Sequence, residues 1–357
     1  MKKHLSLVAL FVLIAASLSG VARAAEKGAA EKTVKVFILA GQSNMEGKAK
    51  NTLLDHQATD EKTKKLFAHL RKDNKWIVRD DVFIKYLDRK GGLTVGYGSP
   101  GRTGVELEFG TVMGDYYDEP VLLIKACWGG HSLVKLFRSP SAGLPSDETL
   151  KKELENARNR VKKNNEKNKK NEPLPTMADV KKPYGSSYRK MMKEVKDTQE
   201  NYETMFPALK GRKLEMAGFV WFQGWNDMYG GQDQYASNMK HLINDVRKDL
   251  GVPKLPVVIG LMGQNGSKPA KGAMLKVQEA QLSMQSLPEF KGNVRSIRTD
   301  VLADKEAERV FPGWQNHFEE WQKVGSDRPY HYLGSAIWFN RMGRAFGDAA
   351  VEIIKGQ

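Results

Sequence analysis

Four short apolar runs constrain the chain more than any other feature. Val34–Ala40, Pro120–Cys127 (PVLLIKAC), Ala217–Phe222 (AGFVWF) and Pro256–Met262 (PVVIGLM) are strand-length, nearly unbroken in apolar character and bounded by glycine or proline. That is the pattern of strands buried on both faces, as in a parallel sheet. Helical spacing occupies the intervals. Tyr188–Tyr202 and Tyr235–Leu250 repeat apolar residues every three or four positions, and Gly334–Lys355 reads as a C-terminal helix after strand-like and loop material from Asp300 to Tyr332. The alternation predicts an α/β fold, a central parallel sheet between helical layers, with reactive groups on loops at the carboxyl ends of the strands. No internal repeat or clean shift of composition divides the chain, so residues 34–357 read as one domain.

Composition narrows the class of protein further. With 357 residues, 40% of them hydrophobic and 28% charged, the chain can bury a large core and is not disordered by composition. Its one cysteine, Cys127, excludes an intrachain disulfide and a cysteine-rich zinc site. At the N-terminus, Lys2 and Lys3 precede an apolar run from Leu5 to about Leu18, and Ala22-Arg23-Ala24 supplies small residues at the positions read by a signal peptidase. The run is shorter than the ~20 residues of a bilayer-spanning helix. Residues 1–24 therefore read as a cleaved signal peptide and 25–33 as a linker, making the protein exported, to the periplasm, the cell surface or the medium.

The formal net charge is +15, and much of the excess sits in Lys151–Asn171. Leu150, Leu154, Ala157 and Val161 recur there at helical spacing, which predicts a surface helix with a narrow apolar stripe inside an insertion at about 146–175. Pro173 and Pro175 mark its end. Such a run serves as a solvated face; a sharper reading makes Lys162, Lys163, Lys169 and Lys170 a contact for an anionic glycan or cell surface. No helix-turn-helix, zinc finger or RNA-binding signature is visible, so nucleic acid is not an expected partner.

The chemistry lies in the loops. The first strand runs into Gly41-Gln42-Ser43-Asn44-Met45-Glu46-Gly47, which can expose Ser43 as a nucleophile or form no more than a serine-capped turn. Met45 stands where a G-x-S-x-G elbow would place its second glycine, against an ordinary α/β-hydrolase. After the second strand, Trp128-Gly129-Gly130-His131 offers bare backbone N–H groups for an oxyanion, or a tight turn. After the third, Gln223-Gly224-Trp225-Asn226-Asp227 brings side-chain amides that can hold negative charge without titrating, or frames a polar turn with aromatic rings. A serine active near neutral pH needs a base. His331, with Asp327 upstream, is favoured; His131 is the second candidate, and His56, His69, His241 and His317 lie in helical or charged surroundings.

Taken together, GQSNMEG, the Gly129-Gly130 loop, QGWND and DRPYHYLGSA resemble the SGNH-hydrolase superfamily, and more narrowly the sialate O-acetylesterase-like proteins of carbohydrate esterase family six. The resemblance implies a three-layer α/β/α sandwich and a serine esterase, independent of metal and cofactor, acting on an acetylated oligo- or polysaccharide. It implies Ser43 as nucleophile, His331 as base, an N–H of Gly129 or Gly130 with Asn226 as oxyanion donors, and Gln223 sharing that role. Gln42, Asn44, Trp128 and Trp225 are then placed against substrate. Two departures stand out: Trp225 replaces a customary Glu, and Arg328 occupies the position three residues before the histidine where the acid usually lies. Asp327, Asp300 or Asp304, or a Ser–His dyad, remain open as the source of the acid.

Overall fold

The computed structural model describes residues 33–357; the expected signal peptide and nearly all of the linker lie outside them. Seven strands form one sheet: β1 (Thr33–Gly41), β2 (Val82–Tyr86), β3 (Arg89–Gly92), β4 (Val121–Cys127), β5 (Lys213–Phe222), β6 (Val257–Gly260) and β7 (Val294–Ile297). Their order is β7-β6-β5-β1-β4-β2-β3, parallel except for the β2–β3 edge hairpin. All four runs read from the sequence are strands of this sheet. The stretch from Asp300 to Tyr332 holds short helices and turns instead of a strand; the last strand is β7, just before it.

Alternation along β1 builds the layers. Val34, Val36, Ile38 and Ala40 belong to one apolar cluster, Phe37 and Leu39 to the other, because successive strand side chains point to opposite faces. The first face is covered by helices over Ser186–Met205, Tyr235–Leu250 and Gly272–Ser283. The second is covered by Glu106–Tyr116 and Ala336–Lys355, which also pack on each other. Each large aliphatic or aromatic side chain so buried contributes about 1.5–3 kcal/mol, and both sheet faces are lined with them. The result is a three-layer α/β/α sandwich.

Register then positions the loops. Gly41 pairs with Cys127 on one side and with Phe222 on the other, so β1, β4 and β5 end at one level and their following loops meet. The Gln42 N–H donates to the Phe222 carbonyl and the Trp128 N–H to the Gly41 carbonyl, each at 3.2 Å. Gly41 is required at this corner: φ is +153° and a Cβ would stand 2.1 Å from the Phe222 oxygen.

The basic segment forms a helix over Asp147–Asn168, capped by the Ser146 side chain and stopped at Lys169 in a left-handed conformation. Leu150 is buried with Val180 and Tyr184 in a small satellite cluster against which Leu154 packs, and most other side chains of the helix are exposed.

Candidate active site

Ser43 is the first residue of a one-turn helix, Ser43–Glu46, that springs from the end of β1. It is 8% exposed, at the tip of the central strand. Under this turn lies Lys125, fully buried in β4. Its ammonium donates to the Glu46 and Tyr97 carbonyls and pairs with Glu106 at 2.9 Å, fixing the end of the Ser43 turn from below. The turn also ties to the histidine loop, since Asn44 Nδ2 donates to the Tyr330 carbonyl at 3.1 Å.

The histidine loop brings Asp327, a candidate acid, close to His331, the expected base four residues on. Ser326 and Asp327 N–H groups both donate to the Leu333 carbonyl, while His331 and Leu333 N–H groups donate to the Arg328 carbonyl. Tyr332 and Leu333 are buried at φ of +52° and +59°, a left-handed pair that closes the loop and strains it. Asp327 Oδ1 lies 3.1 Å from His331 Nδ1 and accepts from the Arg328 N–H at 2.8 Å. Its Oδ2 accepts from Arg102 at 2.9 Å. Burial pushes the Asp327 carboxyl up, but these donors and the charges of His331 and Arg102 outweigh it and hold it below the usual carboxylate range. The alternatives are occupied elsewhere: Asp300 pairs with Arg298, and Asp304 caps the Lys305–Val310 helix and accepts from Ser335.

The structure rearranges the expected oxyanion donors. The Gly129 N–H is committed to Glu46 Oε1 at 2.6 Å, whereas Gly130, exposed and at φ +78°, makes no such bond among the described residues. Gln223 is 3% exposed and fully engaged, donating to Asp227 and the His131 carbonyl and accepting from Tyr235; it braces the site rather than lining it. Asp227 receives Gln223 and the N–H groups of Leu133 and Val134. Burial nevertheless pushes its carboxyl upward, and the carboxylate clamps the 128–134 loop to the 223–227 turn. Asn226 Oδ1 accepts from Gln42 Nε2 at 3.2 Å, and Gln42 Oε1 accepts from the Gly224 N–H. This orients Asn226 with its own NH2 outward from the pair.

Gln42 and Asn44, expected against substrate, are each only 2% exposed and bond within the protein, so they position other groups. Trp128 stacks on His131 with ring centroids 6.0 Å apart. His131 is drawn to Ser187 at 2.7 Å, its pKa lowered by burial and then by Lys190. Cys127 beside the loop is inert, its buried thiol pushed up to about 12. Trp225, partly buried against the core, lies 5.8 Å from Tyr330 and 6.5 Å from Tyr229. Tyr229 and Tyr330 are 73% and 41% exposed, and Tyr330 stands edge-on to His331 at 4.5 Å. Sequence reasoning gave neither tyrosine a role, though Tyr330 lies inside the DRPYHYLGSA block and Tyr229 flanks QGWND. It also missed Glu46, whose carboxyl is held low by Lys48, Ser99 and the Gly129 N–H against the upward push of burial. Among the described residues no group of three or more His, Cys, Asp or Glu is arranged to hold a metal.

A parallel sheet with a serine at the tip of its central strand, facing loops of glycine and asparagine, and an Asp–His pair beside them has the layout of the SGNH hydrolases. Comparison with known families specifies the kind: residues 33–172 and 175–310 match the model of the carbohydrate esterase, sialic acid-specific acetylesterase family. The chain belongs to that family of carboxylic ester hydrolases. The matched stretches include Ser43, Gly130 and Asn226 and stop before Asp327 and His331. A probable carbohydrate esterase of Arabidopsis thaliana is 34% identical over 73 residues, 20% of this chain and 26% of that protein, so the match spans about a quarter of the curated relative. Two solved structures are similar at lower identity. One, from A. thaliana, is 18% identical with a TM-score of 0.44, covering 76% of this chain and 87% of its own. The other, a carbohydrate acetylesterase from Xanthomonas citri, is 16% identical with a TM-score of 0.45, covering 90% and 57%. Among the described residues no helix is long and apolar enough to cross a membrane.

Proposed function

We propose that this protein is an exported serine esterase that removes O-acetyl groups from a carbohydrate, with Ser43 as nucleophile, His331 as base and Asp327 as the acid that orients it. The observation that carries the assignment is the 3.1 Å approach of Asp327 Oδ1 to His331 Nδ1, on a loop tied to the residue after Ser43. Nδ1 is buried and, at 3.1 Å from Asp327 Oδ1, is not aligned for a hydrogen bond with it; the charge of the carboxylate beside it favours the proton on Nδ1, which leaves Nε2 to accept one from Ser43. Ser43 Oγ attacks the acetyl carbonyl and the Oγ–H proton passes to Nε2. The Asn226 NH2 and the Gly130 N–H stabilise the oxyanion, and collapse expels the sugar alkoxide, which takes the proton from His331. Water, activated by the same histidine, then releases acetate and frees Ser43.

Tyr229 and Tyr330 support a carbohydrate as the leaving group, because their exposed faces suit the C–H faces of a pyranose. Acetate release from a small acetyl ester and from acetylated polysaccharides, measured for wild type and Ser43→Ala, tests the reading. Release that falls by about 10⁴-fold or more in the variant, with covalent labelling of Ser43 by a serine-reactive phosphonate, is expected. Equal release from both proteins refutes it.

A further inference from the structure

Gly129 and Gly130 are both exposed, and two successive residues without a Cβ give the backbone its greatest freedom. Hydrogen bonds restrain the loop on either side of them. The Trp128 N–H donates to the Gly41 carbonyl at 3.2 Å, the His131 carbonyl accepts from Gln223 Nε2 at 3.0 Å, and the Leu133 and Val134 N–H groups donate to Asp227. Between Trp128 and His131 a single backbone group is held, the Gly129 N–H, which donates to Glu46 Oε1 at 2.6 Å. The N–H groups of Gly130, His131 and Ser132 make no hydrogen bond among the described residues.

Glu46 is itself fixed relative to Ser43. It is the last residue of the one-turn helix that Ser43 begins; its N–H donates to the Gln42 carbonyl at 2.9 Å and its carbonyl accepts from Lys125 at 2.8 Å. The second carboxylate oxygen, Oε2, accepts from Lys48 Nζ at 2.7 Å and from Ser99 Oγ at 3.1 Å, and Lys48 also donates to Ser99. The Glu46 and Lys48 side chains are only 16% and 14% exposed, so solvent screens the pair weakly. A bare carboxylate one residue from a developing oxyanion would oppose it, and the Lys48 ammonium cancels that charge.

We propose that Glu46 is a positioning residue of the esterase: by holding the Gly129 N–H it fixes the glycine pair to the Ser43 turn and makes Gly130 the loop's oxyanion donor, with Lys48 neutralising the carboxylate. The role rests on the esterase reading of Ser43. A donor held in place before the reaction needs no reorganisation as charge develops, whereas a free Gly-Gly segment would have to be ordered at each turnover.

The test compares Glu46→Ala, Glu46→Gln, Lys48→Met and Glu46→Gln/Lys48→Met with wild type and Ser43→Ala on a small acetyl ester, well below their melting temperatures. Glu46→Ala should lower kcat and kcat/KM together by about 10–100-fold, short of the loss for deleting a donor outright, and leave KM within about twofold. Gln keeps an oxygen that can accept from Gly129 and should restore kcat to within about fivefold of wild type. Lys48→Met leaves the carboxylate uncompensated and should lower kcat about tenfold, and adding Glu46→Gln should recover most of that loss. Amide exchange over residues 128–131 in Ser43→Ala protein reads the clamp without turnover, and adding Glu46→Ala should speed it about tenfold. Full kcat in Glu46→Ala or Lys48→Met, equal loss in Glu46→Ala and Glu46→Gln, a change confined to KM, a Lys48→Met loss that Glu46→Gln deepens, or unaltered exchange overturns the role. Each of these leaves the esterase reading standing while Ser43→Ala is inactive; a Ser43→Ala protein as active as wild type refutes that reading and this role with it.

Discussion

Two regions of this chain are rich in polar residues, and they solve the problem of polarity in opposite ways. At the carboxyl edge of the sheet, Gln42, Gln223, Asp227 and Lys125 are buried and bond to one another or to backbone. In the Asp147–Asn168 helix, nearly every polar group faces water, and Leu150 is the one buried side chain. A buried donor left unpaired costs far more than an exposed one. The first region is therefore over-determined and sensitive to single atoms, while the second tolerates change and is held by its Ser146 cap, one apolar stripe and a few contacts such as Lys135–Glu153 and Arg158 to the Pro175 carbonyl.

That contrast can be broken or sharpened in order of expected effect. Asp327→Asn should lower kcat for acetyl-ester cleavage by up to about 10⁴-fold with the fold retained, whereas Asp300→Asn should leave kcat near wild type; comparable loss in both would remove Asp327 from its assigned role. Lys125→Ala strands the Glu106 carboxylate and the Glu46 and Tyr97 carbonyls, so a denaturant titration should show a loss of about 3–5 kcal/mol. A variant as stable as wild type would show that this edge is not over-determined.

Acid should loosen the same edge. Glu46 has a folded pKa depressed below its ordinary 4.5, so its contribution is fully present above that value and is lost as pH falls through the depressed one. The expected size is on the order of 1 kcal/mol, read as declining amide protection of Gly129 in acid. Glu46→Gln should abolish this pH dependence. The smallest effect belongs to the basic helix: Lys162, Lys163, Lys169 and Lys170 changed together to Gln should shift stability by no more than about 0.5 kcal/mol and leave small-ester hydrolysis unchanged. Unaltered retention on an anionic glycan column would also assign that helix to solvation alone.

The difference between the regions also explains what could be read in advance. The basic helix was legible in its apolar spacing and charge, because a solvated helix depends on local sequence. The strands β1, β4, β5 and β6 were legible because burial on both faces leaves an unbroken apolar run. The β2–β3 hairpin and the short turns after Asp300 were not, since their pattern is set by what covers them. Within the candidate site, Ser43, the Gly129-Gly130 pair, Asn226 and His331 stood out because the proposed chemistry restricts those positions to a few residue types.

Sequence alone determined the α/β alternation, the loops that carry reactive groups and the identity of the polar residues on them. It did not determine which of those groups face outward. Gln223 and Gly129 have the right chemistry for an oxyanion, yet Asp227, four residues on in the same turn, and Glu46, supplied by another loop, consume their donors. Whether Asp327 reaches His331 was likewise decided by the closed loop of residues 326–334 and its two left-handed residues. The Gly129 assignment depends on a partner the sheet brings in from 83 residues away, and the other two on how a turn of a few residues is folded and packed against the neighbouring loops, which residue types alone do not encode.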